Sequence, residues 1–499
     1  MTVEEGLLVV HKFGGTSVAD AACIVRVARI LIDSRAPTDR GSTQRTAAVV
    51  SAMRGVTDRL IGGARLATQG DSAAYREVVK ELRDRHLVAA DALLRGEERE
   101  AIEATIVAGL ERLARFYDSI AVLGELTARG TDAVMCFGEQ WSASLLAAVL
   151  RREGAPAEAL NAAELIVTDD RFGAATPRTA QTRSRLQERV APLIAEGIIP
   201  VITGYVAATE AGVPTTLGRS GSDCTAAIVA AGLDAGEVRI WTDVNGILTA
   251  DPNIVAEART LEELSYAEAT HLARFGAEVL HPRTIRPIIA GRIPLRIVNS
   301  FNPGHPGTRI VPVPRPDRRI LPAIISATGL SLVTVAGDDE ARRLPVATRA
   351  LRLLADAAIE VPMLSQSYAE QGLILVVRDQ DRSHTLTLLR RGFASDANGG
   401  SVPDACHIGT EEEVAIVSVI GVAGWGERGI ASHAFAALGK QGVRVIAVTQ
   451  AAAEDSVSFC IPAERAADTV RFLHRELGLE ATPGIGGAAA GTQYKENAS

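Results

Sequence analysis

The chain has 499 residues, a net charge of −8 and no dense Lys/Arg block, which argues against a nucleic-acid partner or an anionic membrane surface. Aromatic residues make up only 4%, too few for a base-stacking platform, and five scattered cysteines (Cys23, Cys136, Cys224, Cys406, Cys460) form no CxxC pair. With Glu4 and Glu5 at the start and no stretch near 18 uninterrupted apolar residues, neither a signal peptide nor a membrane span is expected, and a reducing cytoplasm fits the thiols.

In chain order, Leu7–His11 reads as a strand, Ala21–Asp33 as an amphipathic helix and Thr46–Ser51 as a second strand. Residues from about Ser72 to Arg152 are almost wholly helical in pattern, with one break near Gly130–Gly138. Ile198–Val206 and Val238–Thr242 are further strands. Alternation without hairpin dipeptides predicts an α/β fold, a mainly parallel sheet sandwiched by helices. Six prolines between Pro303 and Pro322 mark a boundary. Beyond it, two segments each read β-α-β-β, the start of a ferredoxin-like unit. The first runs from LVTV at 332–335 to LILVV at 373–377, the second from VAIVSVI at 414–420 to VSFCI at 457–461. The expected divisions are 1–312, 320–400 and 401–480, with 483–499 as a disordered tail whose GIGGAAAG lacks the helix and sheet a dinucleotide fingerprint requires.

Four motifs carry chemistry. In HKFGGTS, Gly14, Gly15, Thr16 and Ser17 follow a strand end and open toward a helix, where free backbone N–H groups can bind an anion, and Lys12 adds a mobile cation. That combination suits a transferring phosphoryl group; a snorkelling lysine beside a plain turn is the alternative. In TTLGRSGSDCTAA, Arg219 can grip a carboxylate through two parallel hydrogen bonds and Asp223 can orient a lysine, while Ser222 or Asp223 can cap the helix. In WTDVNGI, Thr242 and Asp243 stand at the carboxyl end of a strand, which faces the usual ligand crevice. In CFGEQW, Glu139 opens an apolar helix, where it either serves the helix dipole or receives an ammonium.

Taken together, KFGGTS, GE at 138–139, TLGRSGSD, WTDVNGI and FGAEVLHPRT at 275–284 resemble the aspartate kinases of the amino-acid kinase superfamily, and the repeat after them resembles paired ACT domains. The resemblance implies an amino-acid kinase fold followed by two βαββαβ ACT domains. It also implies ATP-dependent, Mg²⁺-assisted phosphorylation of the side-chain carboxylate of L-aspartate, the entry to lysine, threonine and methionine synthesis. By matching position, Lys12 stabilises the transferred phosphoryl group and Asp223 organises Lys12. Gly14, Gly15, Thr16, Ser17, Thr242 and Asp243 serve the nucleotide. Arg219 holds the α-carboxylate and Glu139 the ammonium, while Thr57, Ser222 and Phe172 border the acceptor. Gln366 and Gln450 resemble effector contacts for threonine or lysine. A homodimer or homotetramer through the ACT domains, and a chain without a fused homoserine dehydrogenase, are also implied. Three positions depart from the family pattern on its nucleotide side: Leu248, Asn253 and Glu278. They motivate the alternative of a non-catalytic amino-acid sensor; a kinase for another amino acid, which the same carboxylate and ammonium contacts would fit, also stays open.

Overall fold

A computed structural model of the chain describes residues 7–36, 44–274, 281–315, 322–337, 343–367, 372–394, 406–421, 429–450 and 456–480. FGAEVL at 275–280, with Glu278, and GIGGAAAG lie outside the described residues. The described chain falls into two units, one of residues 1–247 with 260–319 and the other of 248–259 with 320–499.

The first unit is built on an eight-stranded sheet. Its spatial order is Ala157–Leu160, Ile199–Thr203, Arg45–Val50, Leu8–Phe13, Glu237–Thr242, Leu295–Asn299, Thr308–Val311 and Glu263–Ser265. Every pairing is parallel except Leu295–Asn299 with Thr308–Val311, as the unbroken apolar runs and intervening helices predict. The helix Ala21–Asp33 has the predicted bounds, set by Asp20, whose carboxylate accepts the Cys23 N–H at 2.9 Å. Its buried stripe, Ile24, Val27, Ala28 and Leu31, joins Trp141, Leu145 and Val149 of the helix Phe137–Arg152 in one core. The helical run 128–152 is long and apolar enough to cross a membrane, but 78% of that window is buried inside the protein.

Three expectations need correction. The first strand is Leu8–Phe13, so Lys12 lies within it, paired with Val49 on one side and Ile240 on the other. The expected break near Gly130–Gly138 is present at Cys136, but the run is also interrupted at 94–95 and at Gly124, which takes a left-handed φ of 65° and closes the helix Gly96–Leu123. A small second sheet, unforeseen, pairs Val206–Thr209 antiparallel with Pro214–Thr216 through a turn at Gly212.

The second unit carries a six-stranded sheet in the order Met363–Ser367, Gly372–Arg378, Ala323–Gly337, Cys406–Ile420, Ser456–Pro462, Ala447–Gln450. The predicted division into 320–400 and 401–480 does not survive as two consecutive domains. A βαββαβ unit needs its last strand beside its first. Here residues 332–337 pair with 406–411, and residues 323–327 pair with 416–420, so two 15-residue strands serve both repeats. The unit also takes residues 248–259 from the middle of the first. Ala250 and Val255 join its core, and the Thr249 hydroxyl lies 3.0 Å from His474 Nε2. Leu248 and Asn253 therefore belong to this unit.

Two buried histidines give the first unit an acid liability. His11 stacks with Phe13 and Trp241 and accepts the Trp241 indole N–H at 3.1 Å, and burial lowers its pKa to about 3. His86, edge-on to Trp141, is lowered by burial to about 4. Both groups bind protons more readily when unfolded. The stability they hold above their ordinary pKa near 6.5 is therefore lost as pH falls below it, at about 1.4 kcal/mol per histidine per pH unit. The two histidines together are expected to cost about 4 kcal/mol between pH 7 and pH 5, read in denaturant titrations as the difference between wild type and His11→Asn or His86→Asn, because Glu139 in the same unit, raised by burial, works in the opposite direction. Variants with the same pH slope as wild type would contradict the assignment.

Candidate active site

At the carboxyl ends of Leu8–Phe13 and Arg45–Val50, the helix Gly221–Gly232 points its N-terminus at the same edge. A cavity of about 650 Å³ opens there. Its lining includes Lys12, Gly15, Thr16, Arg54, Thr57, Glu139, Tyr205, Arg219, Ser222 and Asp223. Residues separated by more than 200 positions thus meet, and eight of the expected site residues are among them.

Lys12 Nζ sits 2.6 Å from Asp223 Oδ1, both side chains 12% exposed. The strand places the lysine from the centre of the sheet, and the first turn of the helix Gly221–Gly232 supplies the carboxylate. A Cβ added at Gly14 would lie 3.5 Å from the Lys12 ammonium, so the glycine turn runs beneath the cation. The turn is held by Ser17 N–H to Gly14 O at 2.9 Å and Arg54 N–H to Gly15 O at 3.1 Å.

Glu139 and Arg219 line the same cavity. Glu139 is buried, its Oε2 has no partner among the described residues, and burial raises its pKa to about 7 despite the Ala52 N–H it accepts. A buried carboxylate facing a cavity without a counter-charge is arranged to receive a cation. Arg219 is exposed at the rim and has no acidic partner among the described residues. It sits between Gly218, at φ 76°, and Ser220, at φ 55°, a left-handed conformation that costs a non-glycine residue energy. Gly221 permits this turn, because a Cβ there would lie 2.5 Å from the Tyr205 ring.

Several assignments change. The helix cap is Ser220, without a side-chain bond, so Ser222 and Asp223 are the second and third helical residues and both are free for the site. Ser17 lines no part of the cavity: it is 1% exposed, with its hydroxyl 2.9 Å from that of Ser300. Phe172 borders a separate cavity of about 460 Å³, while its neighbour Gly173 lines the main one. Thr242 and Asp243 stand one strand over, beyond Trp241, whose carbonyl takes the Gly14 N–H at 3.3 Å; they share the edge but not the cavity wall. Gln366 and Gln450 occupy the two outer strands of the other unit's sheet and are exposed. Those strands approach each other, since Ser365 Oγ donates to the Val448 carbonyl at 3.4 Å. Sequence reasoning missed Tyr205 and Arg54 on the wall. Arg54 stands three residues before Thr57 in SAMRGVT, but nothing in its spacing marked it.

Residues 8–299, more than half of the chain, match the Amino acid kinase family, and residues 417–477 match an ACT domain. Bifunctional aspartokinase/homoserine dehydrogenase 1 of Zea mays is 31% identical over 98% of this chain, and the chain spans 53% of that relative. Aspartokinase 3 of Arabidopsis thaliana is 30% identical, over 94% of this chain and 82% of the relative. Among solved structures, E. coli aspartokinase III in complex with aspartate and ADP superposes with a TM-score of 0.79 at 28% identity, covering 94% of this chain and 99% of that one. The glycine turn, the Lys12–Asp223 pair and these likenesses agree: the chain belongs to the amino acid kinase family, in its aspartokinase branch.

Proposed function

We propose that the protein transfers the γ-phosphoryl group of ATP to the side-chain carboxylate of L-aspartate. The observation that carries this reading is one cavity that gathers a paired lysine over a glycine turn, a buried carboxylate and an arginine, the last two without a counter-charge among the described residues. A free amino acid presents an ammonium and an α-carboxylate. Glu139 receives the first and Arg219 the second, which leaves the acceptor's side chain directed at Lys12. Thr57 and Ser222 supply hydroxyls along the same wall. Lys12, held by Asp223, neutralises charge that develops on the phosphoryl oxygens, with little reorganisation during the step. Aspartate and ADP in the E. coli relative support the choice of substrates.

Mg²⁺ fits this site as an ion carried on nucleotide phosphates and water. Among the described residues no group of three His, Cys, Asp or Glu side chains forms a cage for it. Thr242, Asp243 and the Gly14–Gly15 turn would hold the nucleotide. The shared-strand unit would bind an amino-acid effector, threonine or lysine, with Gln366 and Gln450 on the strands that approach one another; lysine in a second E. coli aspartokinase III structure supports an effector of this class. Homo-oligomerisation would run through the same unit. ADP release tests the reading: it is expected with L-aspartate, to be much weaker with L-glutamate, and to fall on addition of the effector. Release independent of any acceptor would overturn it.

Glu139 makes the reading pH-sensitive. Its carboxylate must be ionised to meet the ammonium, and its pKa stands near 7. The KM for L-aspartate is expected to rise about tenfold per unit as pH falls below that value, and to level above it. Glu139→Gln should raise KM at pH 8 and abolish the dependence. An unchanged slope in this variant would assign the titration to another group.

A further inference from the structure

Asp132 is fully buried, lies outside the cavity lining and has no cation beside it among the described residues. An isolated buried carboxylate is costly unless its oxygens are satisfied. Here three donors reach it from two distant segments. Oδ2 accepts the Gly173 N–H at 2.9 Å and the Thr216 N–H at 3.0 Å, and Oδ1 accepts the Thr216 hydroxyl at 2.8 Å. The same two segments touch again where Ala175 N–H donates to Thr216 O at 2.9 Å. At Gly218, a Cβ would come within 3.1 Å of the Gly173 carbonyl.

We propose that Asp132 is a positioning residue for the amino-acid acceptor: its carboxylate ties the Gly173 turn and the Thr216 strand to the helix that leads to Glu139. Thr216 stands three residues before Arg219. Asp132 lies in the helix Ala128–Met135, whose last residue lines the cavity, and Glu139 follows in the next helix. One buried group thus fixes the spacing between the carboxylate grip and the ammonium receptor. Both must engage one small ligand, and a displacement of about 1 Å between them is enough to lower affinity strongly.

The proposal rests on the acceptor reading above, and wild-type turnover with L-aspartate is measured alongside. Asp132→Ala is expected to raise the KM for L-aspartate about tenfold or more, with the KM for ATP changed less than about twofold. Asp132→Asn has the same shape and keeps an oxygen for the two N–H groups, so it should restore the KM to within about threefold of wild type. Thr216→Val removes only the hydroxyl donor and should raise the same KM about threefold, which keeps the test open if Asp132→Ala does not fold. Val78→Ala, a core change in the helix Ser72–Leu93, serves as a stability-matched control and should leave both KM values unchanged. An aspartate KM unmoved in Asp132→Ala or Thr216→Val, or one that rises together with the ATP KM and tracks melting temperature as in Val78→Ala, overturns the positioning role. No wild-type turnover with aspartate overturns the acceptor reading instead.

Discussion

Lys12→Ala is expected to lower kcat by roughly 10²–10³, the loss found on removing one preorganised charge donor, with the KM for L-aspartate nearly unchanged. The lysine projects from the central strand over the glycine turn, and in the proposed reading it meets the phosphoryl group while Glu139 and Arg219 meet the acceptor. Its effect therefore belongs to the step in which charge develops, not to acceptor binding. Stability must be separated from this loss. Removing Lys12 leaves Asp223, 12% exposed, without the partner it holds at 2.6 Å. Breaking a pair buried to that degree costs up to about 3 kcal/mol, most of it from the orphaned charge. The double variant Lys12→Ala/Asp223→Asn should regain that stability in thermal melts while kcat stays low. Recovery of turnover in the double variant would show that Lys12 served only to hold the helix.

Arg219→Ala should raise the KM for L-aspartate by about 10- to 100-fold, the equivalent of 1.5–3 kcal/mol for a charge-assisted pair of hydrogen bonds. The KM for ATP and the melting temperature should hardly move, because Arg219 is exposed and has no acidic partner among the described residues that its loss would orphan. Arg219→Lys should recover only part of the affinity, since an ammonium cannot make the bidentate contact. Initial-rate kinetics with each substrate varied in turn decide the matter. A change confined to the ATP KM would reverse the division of the cavity.

Much of this site was legible in the sequence because glycine turns and charged residues at strand ends interrupt apolar runs where burial would otherwise exclude them. Lys12, Glu139, Arg219 and Asp223 are conspicuous in that way, and the cavity brings all four together. The parallel sheet followed from alternation of strand and helix patterns. What stayed hidden depended on long-range pairing. No local signal shows that residues 323–327 would join 416–420, since both halves of a long strand look alike. Ser17 resembled a phosphate ligand until Ser300, 283 positions away, took its hydroxyl. Tyr205 reads as an ordinary residue in GYV, and its left-handed backbone is held by contacts from far along the chain: its N–H donates to the Thr225 hydroxyl at 3.0 Å and its carbonyl accepts the Leu217 N–H at 3.0 Å. Asp132 carried a faint signal, a lone acid ahead of the apolar VMCFG, but its three donors could not be named without the fold.

The most direct test of the central claim is the identity of the product trapped by hydroxylamine when the full chain is incubated with ATP, Mg²⁺ and L-aspartate. A side-chain carboxylate activated by phosphoryl transfer yields the β-hydroxamate, with one ADP per hydroxamate, and Lys12→Ala yields almost none. Formation of the α-hydroxamate, or of no hydroxamate while L-aspartate still binds the wild-type cavity, would contradict the arrangement of Lys12, Glu139 and Arg219 described above.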